Sequence, residues 1–180
     1  MFESIILAGF GGQGILLAGR LLALAGMKEG KHVTWLPSYG PEMRGGTANC
    51  MVIISNEPIG SPIVTFPNTL FIFNQPSLEK FLPKLLPGGL LIYDSSLVNY
   101  NSSRKDIDLV AIPATRLSVD IGDQRVANLI MLGAYVARKG FPSTEKMLSA
   151  LKETLGEKKA SMFEINERAF RKGLTYGKEA

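Results

Sequence analysis

Ile5-Ile6-Leu7-Ala8-Gly9-Phe10-Gly11-Gly12-Gln13-Gly14 joins one apolar run to a second, which extends from Ile15 to Ala25. A glycine turn between a strand and a helix leaves backbone N–H groups free to bind an anion at the helix N-terminus. Gly9 would make the tight turn, Gly11 would admit a ligand closely, and Gly14 would let the helix pack near the strand. We therefore predict a strand, a glycine turn and a helix of about residues 13–28. Without a bound anion, the glycines would serve only to let the helix leave the strand sharply.

Length and composition are typical of a single globular domain. The chain has 180 residues, of which 46% are hydrophobic and 20% charged, and its formal net charge is +4. A chain of this size buries roughly 70% of the surface that its unfolded form exposes, so it can support its own core. Lysines and arginines are scattered without an aromatic-basic stripe, which argues against nucleic acid as a partner. No export signal or membrane-spanning run is visible, so we expect a cytoplasmic protein without a membrane partner.

Short apolar stretches alternate with helical patterns along the chain. Beyond the first helix, strands are predicted at about residues 32–36, 47–54, 70–73, 90–93 and 109–112, with a further short strand at 63–64. Helices are predicted at about residues 76–82 and 124–139, from residue 143 onward, and at 158–173. This order predicts an α/β fold: a doubly wound, mostly parallel sheet with a Rossmann-like glycine turn and C-terminal helices. We expect one domain over residues 1–180.

Polar segments follow the predicted strands at four points. Gly11–Gly14 follows the first strand, Ser38–Gly46 the second, Asn74-Gln75 a central strand and Asp94-Ser95 the next. Because ligands of a doubly wound sheet bind beyond the carboxyl ends of its strands, we expect these segments to form one functional edge. Connections in α/β proteins are polar in any case, so the coincidence alone does not establish a site. The candidate cofactor-binding residues are Gly9, Gly11, Gly12, Gln13 and Gly14.

The end of the second strand lacks the acidic residue that a nicotinamide enzyme uses to bind the ribose. Leu36 and Pro37 occupy those positions, and Glu42 lies further on, across a proline–glycine turn. Arg44 could meet a 2′-phosphate instead, although it too lies well into the loop. The sequence therefore disfavours a dinucleotide enzyme, and it leaves a stand-alone nucleotide-binding regulatory module open as an alternative.

The loop from Ser38 to Gly46 is the second candidate site. Pro37 and Pro41 restrict its backbone, and rigid loops on a scaffold commonly carry recognition residues. Arg44 offers a planar fork for a carboxylate or phosphate, and Glu42 is a candidate base or interface charge. The alternative is a solvated connection with an Arg–Glu surface pair worth under about 1 kcal/mol. The candidate substrate or partner contacts are Ser38, Tyr39, Gly40, Pro41, Glu42, Arg44, Gly45, Gly46, Asn74 and Gln75.

The chain lacks a self-sufficient set of catalytic groups. His32 stands alone at a strand start, where a surface or capping role is expected, and Cys50 lies among apolar residues, where a buried inert thiol is expected. The single cysteine cannot hold an iron–sulfur cluster, and no histidine or cysteine spacing typical of zinc occurs. Neither a nucleophile elbow nor a thiamine diphosphate motif of the Gly-Asp-Gly…Asn type is present. We therefore assign no catalytic and no metal-binding residue.

Two motifs together resemble a known family. Gly9-Phe10-Gly11-Gly12-Gln13-Gly14 and Ser38-Tyr39-Gly40-Pro41-Glu42-Met43-Arg44-Gly45-Gly46 resemble the gamma subunit of the 2-oxoacid:ferredoxin oxidoreductases. Similar stretches of that family are Asn74-Gln75-Pro76-Ser77, Gly88-Gly89 with Tyr93-Asp94-Ser95-Ser96, and Ala127-Asn128 before Leu132-Gly133-Ala134. The glycine turn alone would be unspecific, but its combination with the Tyr-Gly-Pro-Glu-x-Arg-Gly-Gly loop is specific.

The resemblance implies a subunit of an enzyme that decarboxylates a 2-oxoacid on thiamine diphosphate with Mg²⁺. Electrons would pass through iron–sulfur clusters to ferredoxin, and coenzyme A would take the acyl group. It also implies that alpha and beta subunits, with a delta subunit as a further candidate, hold the diphosphate and the clusters. The gamma chain, inactive alone, would shape the substrate or coenzyme A approach. The 39–46 loop is most similar to the 2-oxoglutarate and branched-chain members, so we expect 2-oxoglutarate as the substrate.

Overall fold

A six-stranded sheet organises the described part of the chain, which comprises residues 1–38, 47–156 and 160–179 of this computed structural model. Its strands are β1 (Phe2–Phe10), β2 (His32–Ser38), β3 (Thr47–Ser55), β4 (Thr69–Ile72), β5 (Leu90–Asp94) and β6 (Asp108–Ile112). They lie in the order β2-β3-β1-β4-β5-β6. Neighbours from β1 to β6 run parallel, whereas β3 runs antiparallel to both β1 and β2. The prediction of a mostly parallel α/β sheet is confirmed.

The helices of the described ranges are α1 (Ile15–Lys28), α2 (Gln75–Phe81), α3 (Ala114–Ile121), α4 (Ala127–Lys139), α5 (Thr144–Leu155) and α6 (Ala160–Glu179). Short 3₁₀ turns occupy Leu82–Lys84 and Gln124–Val126, and the second replaces the first turn of the helix predicted from residue 124. None of these helices combines the length and apolarity that crossing a bilayer requires.

Two local predictions were wrong. No helix was predicted over α3, because a segment of only eight residues, with Ala114 as its one buried apolar side chain, is too short to establish a helical period. Residues 63–64 were expected to form a strand but are coil. Pro62 and Pro67 flank them, and proline cannot donate to a strand ladder. Val64 is buried there all the same, against the second face of the sheet.

The two faces of the sheet are covered unequally. On one face α1, α3, α4, α5 and α6 form a large core around fully buried side chains such as Leu21 and Tyr135. On the other face α2 contributes Leu78 and Phe81, and coil segments cover the remaining part of that smaller core. Because β1 and β4 are covered on both faces, residues 5–8 of β1 and 70–72 of β4 are continuously apolar rather than alternating.

The position of α4 is fixed by its close packing against α6. A Cβ atom at Gly133 would fall on the carbonyl oxygen of Phe170, and one at Gly173 would fall on the carbonyl oxygen of Ile130. The two helices therefore meet at backbone contact, where only glycine fits. This contact anchors α4, whose first turn carries Asn128.

Candidate functional site

The strand order changes direction between β1 and β4. From β1 the chain passes through α1 to β2 on one side, while β4 lies on the other side of β1. In doubly wound sheets, ligands bind beyond the carboxyl ends of the strands at such a switch point. A cavity of about 300 Å³ lies there. Its lining consists of Gly12, Gln13, Phe73, Asp94, Leu97, Thr115, Gln124, Arg125 and Ala127.

The glycine turn forms one wall of this cavity. The structural roles of its individual glycines differ from those predicted. Gly12 and Gly14 have φ values of 96° and 74°, so the left-handed turn lies there rather than at Gly9. Gly9 still belongs to β1, and a Cβ atom on it would lie 2.7 Å from Cβ of Phe73. Close packing therefore explains the glycine at position 9, whereas backbone conformation explains the glycines at positions 12 and 14.

The side chain of Gln13 holds the turn against β1 and the residue after β4. Its Oε1 accepts a hydrogen bond from Phe10 N at 2.6 Å, and its Nε2 donates to Phe73 O at 3.0 Å. The Gln13 N–H donates to Phe10 O at 3.3 Å, so it is occupied within the turn. The N–H groups of Gly11 and Gly12 donate to no other residue of the described ranges. Of these two residues Gly12 lines the cavity, and a free N–H at the start of a helix is the kind of group that can bind an anion.

Asn128, at the start of α4, contacts the glycine turn at Gly14. It is fully buried, and its Nδ2 donates to Gly14 O at 3.1 Å. Its Oδ1 accepts a hydrogen bond from Leu129 N at 2.9 Å. A side chain at position 14 would collide with the Asn128 amide. Gly14 is therefore required both by its φ value and by its neighbour.

Asp94 lies at the carboxyl end of β5 with 1% of its surface exposed. Oδ2 accepts hydrogen bonds from Thr115 N at 3.0 Å and from Thr115 Oγ1 at 2.6 Å, and Oδ1 accepts one from Ser96 N at 3.0 Å. The carboxylate thus joins β5 to the first turn of α3. Because its oxygens are already occupied, Asp94 does not suit the role of a base or a metal ligand.

Arg125 supplies the cation of the cavity and was not predicted from the sequence. Its side chain is 79% exposed, and it forms a bidentate pair with Asp123 through Nε at 2.9 Å and Nη2 at 2.7 Å. This hydrogen-bonded pair lowers the pKa of Asp123 and raises that of Arg125. The remaining guanidinium N–H groups are available to an anion. The sequence did carry a signal for Arg125, because its pair with Asp123 ends one residue before the Ala127-Asn128 motif.

Asn74 and Gln75 follow β4 at the expected edge, but they do not line the cavity. Asn74 caps α2, because its Oδ1 accepts a hydrogen bond from Ser77 N at 2.8 Å. Gln75 Oε1 accepts one from Asn99 N at 2.9 Å and so holds the connection after β5. Both contacts are internal to the fold. A role in partner or substrate contact stays a prediction for these two residues.

Ser38 ends β2 at the same edge of the sheet, opposite Asn49 of β3. Tyr39, Gly40, Pro41, Glu42, Arg44, Gly45 and Gly46 lie outside the described residues. In a Rossmann sheet the second strand lies beside the first, whereas here β3 lies between β1 and β2, which carries Leu36 and Pro37. Since β3 separates the two strands, those positions are about 10 Å from β1 and the missing carboxylate says little about nucleotides.

The positions of His32 and Cys50 agree with the surface role and the buried thiol expected for these two residues. His32 is exposed at the start of β2. Cys50 is fully buried, its Sγ lies 3.6 Å from Ile15 O, and burial raises its pKa to about 12. Across residues 1–38, 47–156 and 160–179, no three His, Cys, Asp or Glu side chains converge in a way that could hold a metal ion.

A family model described as pyruvate ferredoxin/flavodoxin oxidoreductase matches residues 4–176, which include the glycine turn, the sheet and most of α6. The chain belongs to this family. The match thus covers both walls of the cavity, from Gly12 to Arg125.

Relatives of the chain within this oxidoreductase family have two lengths. The 2-oxoglutarate synthase subunit KorC of Methanocaldococcus jannaschii is 37% identical over 182 residues, which cover 99% of this chain and 96% of the relative. The ketoisovalerate oxidoreductase subunit VorA of Methanothermobacter marburgensis is 44% identical over 131 residues, which cover 73% of this chain and 27% of the relative. The chain thus spans about a third or less of the VorA protein, and nearly all of KorC.

Solved structures of the oxidoreductase family share the fold. The gamma subunit of a keto/oxoacid ferredoxin oxidoreductase from Geobacter sulfurreducens has a TM-score of 0.85 and 33% identity, with 99% of both chains covered. A 2-oxoglutarate:ferredoxin oxidoreductase from Magnetococcus marinus, with 2-oxoglutarate, coenzyme A and succinyl-CoA bound, has a TM-score of 0.89 and 25% identity, covering 99% of this chain and 31% of that chain. The resemblance to gamma subunits is confirmed.

Proposed function

We propose that this chain is the gamma subunit of a coenzyme A-dependent 2-oxoacid:ferredoxin oxidoreductase and that it forms a wall of the coenzyme A approach. Family membership and the end-to-end alignment with KorC and with a solved gamma subunit support this proposal. The observation that carries it is the cavity at the switch point between β1 and β4. The enzyme would convert its 2-oxoacid to an acyl-CoA and pass the electrons to ferredoxin.

The chemistry of the cavity suits a phosphate group of coenzyme A. One wall offers the N–H group of Gly12 beside the N-terminus of α1, where the helix dipole favours negative charge. The other wall offers Arg125, whose planar guanidinium is held in place by Asp123. The two walls enclose a space of about 300 Å³. Donors on both walls can orient an anionic group in this space as well as bind it.

The cofactors of such an enzyme would be held by its other subunits. Iron–sulfur clusters need several cysteine thiolates, whereas this chain has one cysteine, Cys50, which is buried and has a pKa of about 12. Mg²⁺ with thiamine diphosphate needs free carboxylate or amide oxygens, and Asp94 at the cavity is already occupied by three donors. We therefore assign the diphosphate, Mg²⁺ and the clusters to alpha and beta subunits, with a delta subunit as a further candidate.

We favour 2-oxoglutarate as the substrate of the complex. KorC, a 2-oxoglutarate synthase subunit, matches this chain over its whole length, whereas VorA matches over a shorter segment at higher identity. The Magnetococcus relative was solved with 2-oxoglutarate and coenzyme A bound. A branched-chain 2-oxoacid is the competing outcome, and turnover of the reconstituted complex with each acid distinguishes them.

The test replaces Arg125 by alanine in the enzyme reconstituted with its partner subunits. We expect KM for coenzyme A to rise about five-fold with kcat nearly unchanged, because the lost contact binds substrate and transition state equally. The rise should shrink at high salt, since Arg125 is exposed and screened. Arg138→Ala is the matched control: Arg138 also pairs with an aspartate, through Nε to Asp108 Oδ2 at 2.7 Å, but at the amino end of β6.

Three results would contradict this proposal. The first is an equal effect of Arg125→Ala and Arg138→Ala on KM for coenzyme A. The second is micromolar binding of NAD, NADP, FAD or ATP by the chain alone in calorimetry, which would favour the stand-alone regulatory module instead. Turnover of a 2-oxoacid by the purified chain without partners would also exclude a non-autonomous subunit.

A further inference from the structure

The two walls of the switch-point cavity come from segments far apart in the chain. Gly12 and Gln13 belong to the turn after β1, whereas Gln124 and Arg125 belong to the 3₁₀ turn before α4. The distance between these walls sets the width of the cavity. Asn128, in the first turn of α4 and three residues after Arg125, makes a side-chain hydrogen bond to the glycine turn, from its Nδ2 to Gly14 O at 3.1 Å.

The burial and hydrogen bonds of Asn128 suit it to keep the distance between the two walls constant. It is fully buried, and both ends of its amide are engaged, because Oδ1 accepts a hydrogen bond from Leu129 N. An amide with donors and acceptor both used has a fixed plane, so it cannot swing away without leaving a buried polar group unpaired. The helix that carries it is itself immobilised by the backbone contact between Gly133 and Gly173.

The glycine at position 14 of the turn permits the close approach of Asn128. Gly14 has a φ value of 74°, and a Cβ atom on it would lie 3.0 Å from Cγ of Asn128 and closer still to Nδ2. The absence of a side chain at position 14 therefore lets the amide approach the backbone. Ala127, which precedes Asn128, lines the cavity itself, so a shift of α4 would move that wall directly.

We infer that Asn128 is a positioning residue that sets the spacing between the glycine turn and Arg125, and with it the fit of the anion between them. Asn128 does not line the cavity, so it acts through Gly14 and α4 rather than on the ligand. The part of this inference that concerns coenzyme A rests on the proposed function, whereas the link between the two walls does not.

The first test measures the link without any ligand. We compare backbone amide chemical shifts and hydrogen exchange of the full-length chain with those of Asn128→Ala. Shifts and faster exchange are expected at Gly12, Gln13 and Arg125. Asn166→Ala is the control, because Asn166 is also a buried asparagine whose Nδ2 donates to a carbonyl, that of Met162 at 2.6 Å. Unchanged amides at both walls in Asn128→Ala would overturn the inference.

A second variant separates the lost hydrogen bond from a lost volume. Asn128→Asp keeps the size of the side chain and the acceptor for Leu129 N, but it can no longer donate to the Gly14 carbonyl unless it is protonated. At neutral pH we expect the same amides to respond as in Asn128→Ala. Normal shifts in Asn128→Asp would contradict a role for the Nδ2 bond. If Asn128→Ala does not fold, Asn128→Asp alone supplies the amide measurement, with the same two outcomes.

The last measurement uses the reconstituted complex. Asn128→Ala should raise KM for coenzyme A about five-fold and leave kcat within about two-fold, because the two neutral hydrogen bonds of the amide are lost while no direct contact with the ligand is removed. A merely structural residue would lower the amount of active enzyme and leave KM unchanged, and that result, in an enzyme whose KM does rise in Arg125→Ala, would overturn the inference. If Arg125→Ala leaves KM unaltered while the wall amides still respond to Asn128→Ala, the proposed coenzyme A site fails but the positioning role of Asn128 stands.

Discussion

Replacement of Gly14 by alanine tests how the glycine turn and α4 are fitted together. Gly14 has a φ value of 74°, and an L-residue in the left-handed region costs about 1–2 kcal/mol. The new methyl group would also meet the buried Asn128 amide at or below 3.0 Å. Moving that amide breaks its bond to Gly14 O and leaves buried polar groups unpaired, which costs about a further 1–3 kcal/mol. We therefore expect Gly14→Ala to lower the free energy of unfolding by about 2–5 kcal/mol.

The chain provides a control for the backbone part of this cost. Gly30 has a φ value of 73°, and a Cβ atom on it would meet nothing within 4 Å. Gly30→Ala should therefore cost only the conformational part, about 1–2 kcal/mol. The difference between the two variants then measures the contact with Asn128.

Urea or guanidinium unfolding of the full-length chain measures both variants, with the slope of each transition checked for constancy. In the Asn128→Ala background the cost of Gly14→Ala should fall to the value found for Gly30→Ala, because the colliding amide is gone. Equal costs for Gly14→Ala and Gly30→Ala in the wild-type background would refute the argument that Asn128 occupies the space beside the turn.

Two further predictions concern titratable groups. Cys50 has a pKa of about 12, so roughly one ten-thousandth of its side chains should be thiolate at pH 8. Alkylation of Cys50 by iodoacetamide, followed by mass spectrometry, should therefore be more than about a hundred-fold slower in the native chain than in guanidinium. Equal rates would show an exposed thiol. Because its pairing with Arg125 lowers the pKa of Asp123, the stability that Asp123 contributes should be present above the ordinary carboxyl range and lost as pH falls through the lowered value. The melting temperatures of the wild type and Asp123→Asn should therefore converge on acidification from pH 7, and a constant difference would speak against the pair.

The sequence by itself determined the parts of this protein that depend on local patterns. The apolar run into the glycine turn and the helix after it are encoded by neighbouring residues, so the strand, the turn and α1 were predicted correctly. The single cysteine and the single histidine are likewise evident from the sequence alone. Together with the motifs, these features were sufficient for the family and the fold class.

Only the tertiary structure decided what surrounds the glycine turn. Packing inserted the antiparallel β3 between β1 and β2, and this removed the basis of the dinucleotide argument. Packing also brought Asn128 to Gly14 across 114 positions of sequence, and Arg125 to the same cavity. Local secondary-structure propensity carries no information on such pairs, because their contact depends on how the helices pack on the sheet. The cavity therefore takes its backbone donor from the glycine turn and its cation from the 3₁₀ turn before α4.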